Sequence, residues 1–140
     1  MKTKYQQAHM RAAHIYSELS HARRLKVGAI VVKDDRIISI GYNGMPSGWD
    51  NNCEYENEDG TLKTKPEVLH AETNAIAKLA RSSESGLGAA IFVTHSPCLD
   101  CAKIIYQSGI KHVFYATDYR DDSGIAFLRD SGIEVERVNV

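Results

Sequence analysis

The chain has 140 residues, of which 43% are hydrophobic, and its net charge is −1 at pH 7. This hydrophobic share is ordinary for a folded protein and argues against a disordered chain, and the length fits one domain spanning residues 1–140. The near-neutral charge argues against a protein that grips long nucleic acid, because such proteins usually carry a basic surplus. We expect no membrane partner either, because the first nine residues are polar and no long apolar run follows.

The three cysteines are Cys53, Cys98 and Cys101. An odd number with two of them close together is typical of a reduced, intracellular protein with a metal site, not of a disulfide framework. We therefore expect a cytoplasmic location. Cys53 is interpreted as a loop thiol, with a second metal site as the alternative.

The first half of the chain predicts a helix followed by a β-hairpin. Residues 4–19 have helical spacing of apolar side chains, and residues 20–26 form a polar, basic loop. The segment Val27–Lys33 is β-branched and apolar, Asp34-Asp35 predicts a tight turn, and Arg36–Tyr42 returns as the second strand. The expected buried face of the helix consists of Ala8, Ala12, Ile15, Tyr16 and Leu19.

The second half predicts alternating helices and strands. A turn-rich loop at 43–48 leads into residues 49–65, which have no period and are interpreted as a long surface loop or a local insertion. The following elements are a helix over 70–81, a strand over 89–95, a helix over 98–108, a strand over 112–117, a short helix over 124–130 and an edge strand over 134–138. Because this alternation requires parallel strands with right-handed crossovers, the fold class is α/β. It is a three-layer α/β/α arrangement around a mixed five-stranded sheet that begins with an antiparallel hairpin.

The candidate metal ligands are His70, Cys98 and Cys101. Zinc accepts nitrogen and sulfur ligands in a tetrahedron, and three protein ligands leave the fourth position open, as in catalytic sites. The two cysteines are three residues apart and share one face of a helix start, where the partial positive charge favours the thiolates that zinc requires. A structural zinc site is the alternative interpretation.

Glu72 lies two residues after His70, beside the expected open position of the metal. His-x-Glu followed by Pro-Cys-x-x-Cys is the arrangement of zinc deaminases, in which the glutamate is the general acid and base. Two thiolates cancel the formal charge of Zn²⁺, so a bound water is less acidified and the base matters more. On a cytosine ring, water adds at C4, Glu72 transfers protons to N3 and the exocyclic nitrogen, and ammonia leaves.

Four segments occur in one order over nearly the whole chain: VGAIVV, GYNGMPSG, HAETNAI and SPCLDCAKIIYQSGIKHVFY. With them the chain resembles the deoxycytidylate (dCMP) deaminases of the cytidine deaminase superfamily. GYNGMP is the informative piece, because the metal motif is shared by all branches. The resemblance implies a cytidine deaminase-like fold, catalytic Zn²⁺, and conversion of dCMP to dUMP for thymidylate synthesis.

The resemblance also implies substrate contacts. Asn43 is expected to bind the sugar, and the Ala71 amide and Ser96 carbonyl the pyrimidine edge. Ser20 and the nearby basic residues, Arg23 among them, match the phosphate-binding stretch, although Ser20-His21-Ala22-Arg23-Arg24 departs from the commoner Ser-Lys-Asp-Pro.

The residues themselves indicate two basic loops near the expected site. Arg23, Arg24 and Lys26 form either a solvated basic loop or a phosphate site. The loop at 118–122 follows a strand, and ligands of α/β sheets bind outside the carboxyl ends of strands. Tyr119 and Arg120 in that loop are therefore candidate substrate contacts, with an ordinary turn as the alternative.

Regulation is implied by the resemblance alone. Many relatives are hexamers activated by dCTP and inhibited by dTTP with Mg²⁺, through a second site near the GYNG loop. Gly44, Met45 and Arg81 match positions of that kind. We therefore expect a homo-oligomer, a hexamer in the first instance, with nucleotide effectors.

Three other functions remain open from the sequence. A tRNA adenosine deaminase has the same motif and takes a flipped base. A cytidine deaminase acting on the free nucleoside is disfavoured by GYNGMP. A zinc-stabilised nucleotide-binding module without turnover is disfavoured by the intact Glu72.

Overall fold

The computed structural model describes all 140 residues. In chain order its elements are α1 (Thr3–Ser17), β1 (Gly28–Lys33), β2 (Arg36–Tyr42), β3 (Glu54–Glu56), β4 (Leu62–Thr64), α2 (Ala71–Ala80), β5 (Ala90–His95), α3 (Leu99–Gln107), β6 (His112–Thr117), α4 (Ser123–Asp130) and β7 (Glu134–Arg137). None of the four helices has the length and apolar character needed to cross a membrane.

The main sheet has five strands in the order β2-β1-β5-β6-β7. Strand β1 pairs antiparallel with both β2 and β5, whereas β5, β6 and β7 are parallel. Asp34 and Asp35 close the first hairpin with φ of 52° and 58°, the positive values that two-residue hairpin turns of this kind require. The predicted mixed sheet with an initial antiparallel hairpin is confirmed. The carboxyl ends of β5 and β6 emerge together at one edge, where α/β sheets bind ligands.

Helices cover both faces of the sheet, so the predicted three-layer arrangement is confirmed. On one face α1 packs through Met10 and Ala13 against side chains of β1, β5 and β6, among them Phe92 and Phe114. On the other face α2, α3 and α4 bury a second cluster that includes Ala75. The two clusters follow from the alternation of side chains along the central strands.

The predicted buried face of α1 is correct only in part: Ala12 and Tyr16 are partly buried and pack against the core, but Ala8, Ile15 and Leu19 are exposed. Ile15 and Leu19 are 61% and 52% exposed, whereas Met10, Ala13 and Ser17 are buried. The reason is a close approach of the helix to β1: a Cβ placed on Gly28 would lie 2.1 Å from the Ala13 carbonyl oxygen. The small side chains of Ala13 and Ser17 permit this approach of α1 to the sheet. Because such small residues add little to a pattern of apolar side chains, the sequence did not mark them as the buried face.

Residues 49–65 contain a small antiparallel hairpin, formed by β3 and β4. The sequence did not predict this hairpin, because the segment has no periodic pattern of apolar residues. Its strands are exposed except at the base, where Cys53 and Glu54 are buried. The Lys65 amide donates to the Cys53 carbonyl at 2.8 Å and closes that base. Because most of the hairpin faces solvent on both sides, no alternation of polar and apolar residues marks it.

We predict that Gly28→Ala lowers the free energy of unfolding by about 2 kcal/mol or more, within the usual cost of overpacking. The added methyl group would meet the backbone of α1, which must then move away from the sheet. The measurement is urea unfolding beside a matched control, Gly44→Ala, whose new Cβ has no atom within 4 Å. Equal stability of the two variants would contradict this account of how α1 is placed.

Candidate active site

The three predicted metal ligands converge from the starts of two helices. His70 is the residue before α2, Cys98 is the residue before α3, and Cys101 lies in the first turn of α3. His70 Nδ1 is 3.2 Å from Cys101 Sγ and 3.6 Å from Cys98 Sγ. Nitrogen and sulfur ligands of one tetrahedral zinc ion are about 3.6 Å apart by the usual bond lengths, so this cluster fits zinc.

No other three histidine, cysteine, aspartate or glutamate side chains in the chain come together in this way. Cys53 is buried in the wall of the same region but belongs to no such cluster; its thiol points to the Asn51 carbonyl at 3.5 Å. The cluster at His70 is therefore the candidate metal centre, and soft sulfur with imidazole nitrogen is a donor set that suits zinc.

The two thiols of the cluster are electrostatically coupled. Hydrogen bonds from Cys101 and His70 lower the pKa of Cys98 to about 4. The same contact with Cys98, together with burial, raises the pKa of Cys101. The hydrogen bond to Cys98 also raises the pKa of His70. Zinc binds thiolates and neutral imidazole, so its binding to these three groups would release the protons that they carry.

Glu72 is buried in the first turn of α2 and lines the cavity beside His70 and Cys98. Burial raises the pKa of its carboxyl group. The position of this turn is fixed by contact with the sheet, because a Cβ on Gly41 would lie 2.4 Å from the Ala71 carbonyl oxygen. The glutamate is thus held next to the metal cluster without belonging to it.

A cavity of about 380 Å³ opens over the metal cluster. Five of the predicted substrate contacts line it: Asn43, Ala71, Ser96, Tyr119 and Arg120. The Ala71 N–H has no acceptor within its helix or elsewhere in the chain. The Ser96 hydroxyl accepts a hydrogen bond from the Tyr119 amide at 2.7 Å, which joins the ends of β5 and β6.

Ser20 and Asn43 act together on the loop at 20–26. The buried Ser20 hydroxyl donates to the Asn43 carbonyl at 2.7 Å and does not line the cavity. The Asn43 side chain accepts from the Val27 amide at 2.9 Å and donates to the Leu25 carbonyl at 2.7 Å. Asn43 therefore anchors the loop and keeps one amide hydrogen for another acceptor.

Arg23 does not line the cavity, because its guanidinium is paired elsewhere. Its Nε lies 3.3 Å from a carboxylate oxygen of Glu54, whose side chain is only 1% exposed. The other carboxylate oxygen accepts from the Arg23 and Arg24 amides at 2.9 and 3.1 Å. Burial alone would raise the pKa of Glu54, but the hydrogen bonds from Arg24 and Arg23 lower it.

Three further polar residues of the cavity wall, His95, Glu54 and Thr64, were not predicted as site residues. Of the basic cluster Arg23, Arg24 and Lys26, which the sequence left open as a solvated loop or a phosphate site, only Arg24 lines the cavity, and no charge pattern separates two adjacent arginines. His95 also lines it, and its place at the end of a predicted strand was the available signal. Glu54 and Thr64 come from the base of the unpredicted hairpin and carried no signal at all.

The residues matched to a regulatory site lie at the two ends of α2. Gly44 exchanges two backbone hydrogen bonds with Leu69, just before the helix, at 3.1 and 2.8 Å. Met45 follows it and is half-buried. Arg81 is exposed directly after the helix. Ten helical residues span about 15 Å, so these positions do not form one small site within a single chain.

We predict that Glu54→Gln lowers the free energy of unfolding by about 2 kcal/mol at pH 7, because an NH2 donor replaces one of the two oxygens that accept from N–H groups, and the charge that pairs with Arg23 is lost. Since the folded pKa of Glu54 is lowered, its stabilising effect is present above the ordinary value of 4.5 and is lost as the pH falls below it. The stability difference between the two proteins should therefore shrink between about pH 5 and pH 3.

The measurement is urea unfolding at several pH values, with Glu56→Gln as the matched control. Glu56 is on the same strand but exposed, so that variant loses the same charge without losing a buried acceptor. A Glu54→Gln difference that stayed constant from pH 7 to pH 3 would contradict the pairing.

Comparison with known proteins agrees with this geometry. Residues 3–117 match the family described as the cytidine and deoxycytidylate deaminase zinc-binding region. The deoxycytidylate deaminase of Enterobacteria phage T4 is 37% identical over 92% of this chain and 87% of its own length. ComE operon protein 2 of Bacillus subtilis is 38% identical over 97% of this chain and 72% of its own length.

Among solved structures, the dCMP deaminase of cyanophage S-TIM5, in complex with dCMP and dUMP, is 50% identical. The two chains superpose with a TM-score of 0.90 over 98% of each. The residues matched by the family include all three ligands of the candidate metal centre, His70, Cys98 and Cys101. The chain therefore belongs to the cytidine and deoxycytidylate deaminase family.

Proposed function

We propose that this chain is a zinc-dependent hydrolase that converts dCMP and water to dUMP and ammonia. The observation that carries the proposal is one cavity with two kinds of wall: the metal cluster with buried Glu72, and the arginines Arg24 and Arg120. The first wall suits a hydrolytic deamination and the second an anionic nucleotide. The relatives of phage T4 and cyanophage S-TIM5, both named as acting on this nucleotide, support the same substrate.

A zinc ion held by His70, Cys98 and Cys101 would supply a Lewis acid that acidifies the attacking water. Glu72 takes a proton from that water and transfers it to N3 of the cytosine ring as oxygen adds at C4. Glu72 then takes the proton of the hydroxyl group added at C4 and carries it to the exocyclic nitrogen, so that the C4–N bond breaks, the C4 carbonyl forms and ammonia leaves. Burial of Glu72 in the cavity wall keeps these proton transfers away from bulk solvent.

The remaining polar groups of the cavity orient the nucleotide in this proposal. The free Ala71 N–H and the Ser96 carbonyl hold the edge of the pyrimidine, and the spare Asn43 amide hydrogen binds the sugar. Tyr119 and Arg120 close the cavity beside the end of β6. Ser20 and Arg23 act on the substrate through the loop that they fix.

The other candidate functions fit these features less well. A cavity of about 380 Å³ is in the range that holds one small ligand, and the net charge of −1 offers no surplus for a tRNA. A free nucleoside would leave Arg24 and Arg120 without an anionic partner. A binding module without turnover has no use for a glutamate buried beside the metal cluster.

We predict ammonia release from dCMP that exceeds release from cytidine, deoxycytidine and tRNA in one assay at equal enzyme concentration. Glu72→Gln should keep its zinc and lose about 10³-fold or more in kcat, because the proton carrier is gone. The matched control is Glu67→Gln, an exposed glutamate three residues before His70, which should keep full activity.

Ammonia from tRNA or from a nucleoside at a rate above that from dCMP would reject the proposed substrate. Full activity of a zinc-loaded Glu72→Gln protein would reject the proposed role of the glutamate. Zinc content measured on each variant separates loss of the metal from loss of proton transfer.

We further propose that the enzyme is a cytoplasmic homo-oligomer, a hexamer in the first instance, regulated by dCTP as activator and dTTP with Mg²⁺ as inhibitor. The regulation and the hexamer are supported by the resemblance of Gly44, Met45 and Arg81 to the effector-site positions of related hexameric enzymes. The cytoplasmic location is supported by the need of Cys98 and Cys101 for a reducing compartment.

The corresponding prediction is that dCTP lowers and dTTP raises the dCMP concentration needed for half-maximal rate. The rates are measured with and without Mg²⁺, together with sedimentation of the protein at the same concentrations. A monomer, or rates unchanged by either triphosphate, would contradict this part of the proposal.

A further inference from the structure

The base of the β3–β4 hairpin is hydrogen-bonded to the loop at 20–26 through two residues that face each other across the hairpin. Glu54 and Thr64 face each other in the hairpin. Glu54 accepts from the Arg23 and Arg24 amides, and the Thr64 hydroxyl accepts from Arg24 Nη1 at 3.0 Å. Both hairpin residues also line the cavity, so the hairpin forms one of its walls and supports another.

Glu54 places a negative charge in the wall of a cavity that is proposed to bind an anion. A carboxylate in the wall of a cavity for an anionic ligand repels that ligand unless its charge is neutralised, and burying it is costly unless it is paired. Here each oxygen accepts at least one N–H, and Arg23 supplies the opposite charge. The carboxylate is therefore neutralised by a residue that does not itself line the cavity.

The charges that remain match a monophosphate. Arg23 compensates Glu54, whereas the Arg24 guanidinium is hydrogen-bonded only to the neutral Thr64 hydroxyl and Arg120 forms no ion pair. Two uncompensated arginines thus line the cavity, and a phosphate monoester carries nearly two negative charges at pH 7.

We propose that Glu54 is a positioning residue of the substrate cavity: it fixes the loop at 20–26 and neutralises Arg23, which leaves Arg24, with Arg120, to bind the substrate phosphate. This assignment rests on the proposed function, because it takes a nucleotide monophosphate as the ligand. It divides the two adjacent arginines into a structural one and a phosphate-binding one.

The test compares ligands with and without the phosphate. In Arg24→Gln we expect the KM for dCMP to rise at least about tenfold, the size of a lost charge-assisted hydrogen bond, with kcat nearly unchanged. Activity on deoxycytidine, measured at high enzyme concentration, should stay within a factor of two. The matched control is Lys26→Gln, since Lys26 is on the same loop, exposed and outside the cavity.

Glu54→Gln should raise the KM for dCMP about tenfold as well, because the loop that presents Arg24 loses its anchor. The freed Arg23 does not make up the loss, since its side chain is 52% exposed and its charge is screened. Amide hydrogen exchange at residues 23 and 24 should accelerate in Glu54→Gln and remain slow in Glu56→Gln. This readout does not depend on turnover.

Two failures can be told apart. Absence of ammonia from dCMP with the unaltered, zinc-loaded protein rejects the proposed function. In that case the inference about Glu54 and Arg24 is tested alone, by comparing the calorimetric affinities of each variant for dUMP and for deoxyuridine, which lacks the phosphate. The inference is overturned if Arg24→Gln and Lys26→Gln bind the phosphate-bearing ligand equally well. It is also overturned if Glu54→Gln affects dCMP and deoxycytidine equally, or leaves amide exchange at residues 23 and 24 unchanged.

Discussion

The meeting of two helix starts at one edge of the sheet is the constraint on which the active site depends. His70 precedes α2 and Cys98 precedes α3, so both ligands sit where unpaired N–H groups give a positive potential. That potential favours thiolates and, with them, a divalent ion. The meeting of the two helix starts also brings the first turn of α2, with Glu72, beside the metal position. The sheet sets the distance between the helices through close backbone contacts such as that of Gly41 with Ala71.

Reaction type and substrate choice are located in different parts of the molecule. The metal cluster and Glu72 are held by the main sheet and its helices, which favour one chemistry. The groups proposed to recognise the nucleotide are on loops fixed by side-chain hydrogen bonds, above all by Asn43 from one side and Glu54 from the other. Loops positioned by a rigid scaffold commonly carry specificity, and here the hydrogen-bonding groups that position the loop are identifiable.

Local patterns in the sequence predicted the parts of the structure that depend on local rules. The sheet and the helices follow from periodicity and turn residues, and the metal cluster follows from a motif whose two halves, His-x-Glu and Pro-Cys-x-x-Cys, each lie at a helix start. The exposed Ile15 and the buried Ser17 were not predictable in this way, because the α1 face is chosen by the close approach to Gly28, far away in sequence. The same is true of Arg24 and Glu54, whose roles depend on a contact across 30 residues.

X-ray absorption spectroscopy at the zinc edge on the purified enzyme reports directly whether the metal centre is open, with three protein ligands. We expect one zinc per chain, bound to two sulfur atoms, one imidazole nitrogen and one oxygen from water. We also expect that the oxygen is replaced or perturbed when a transition-state-like pyrimidine is added. A shell of four protein ligands without oxygen, or a shell with one sulfur, would contradict an open centre of this kind.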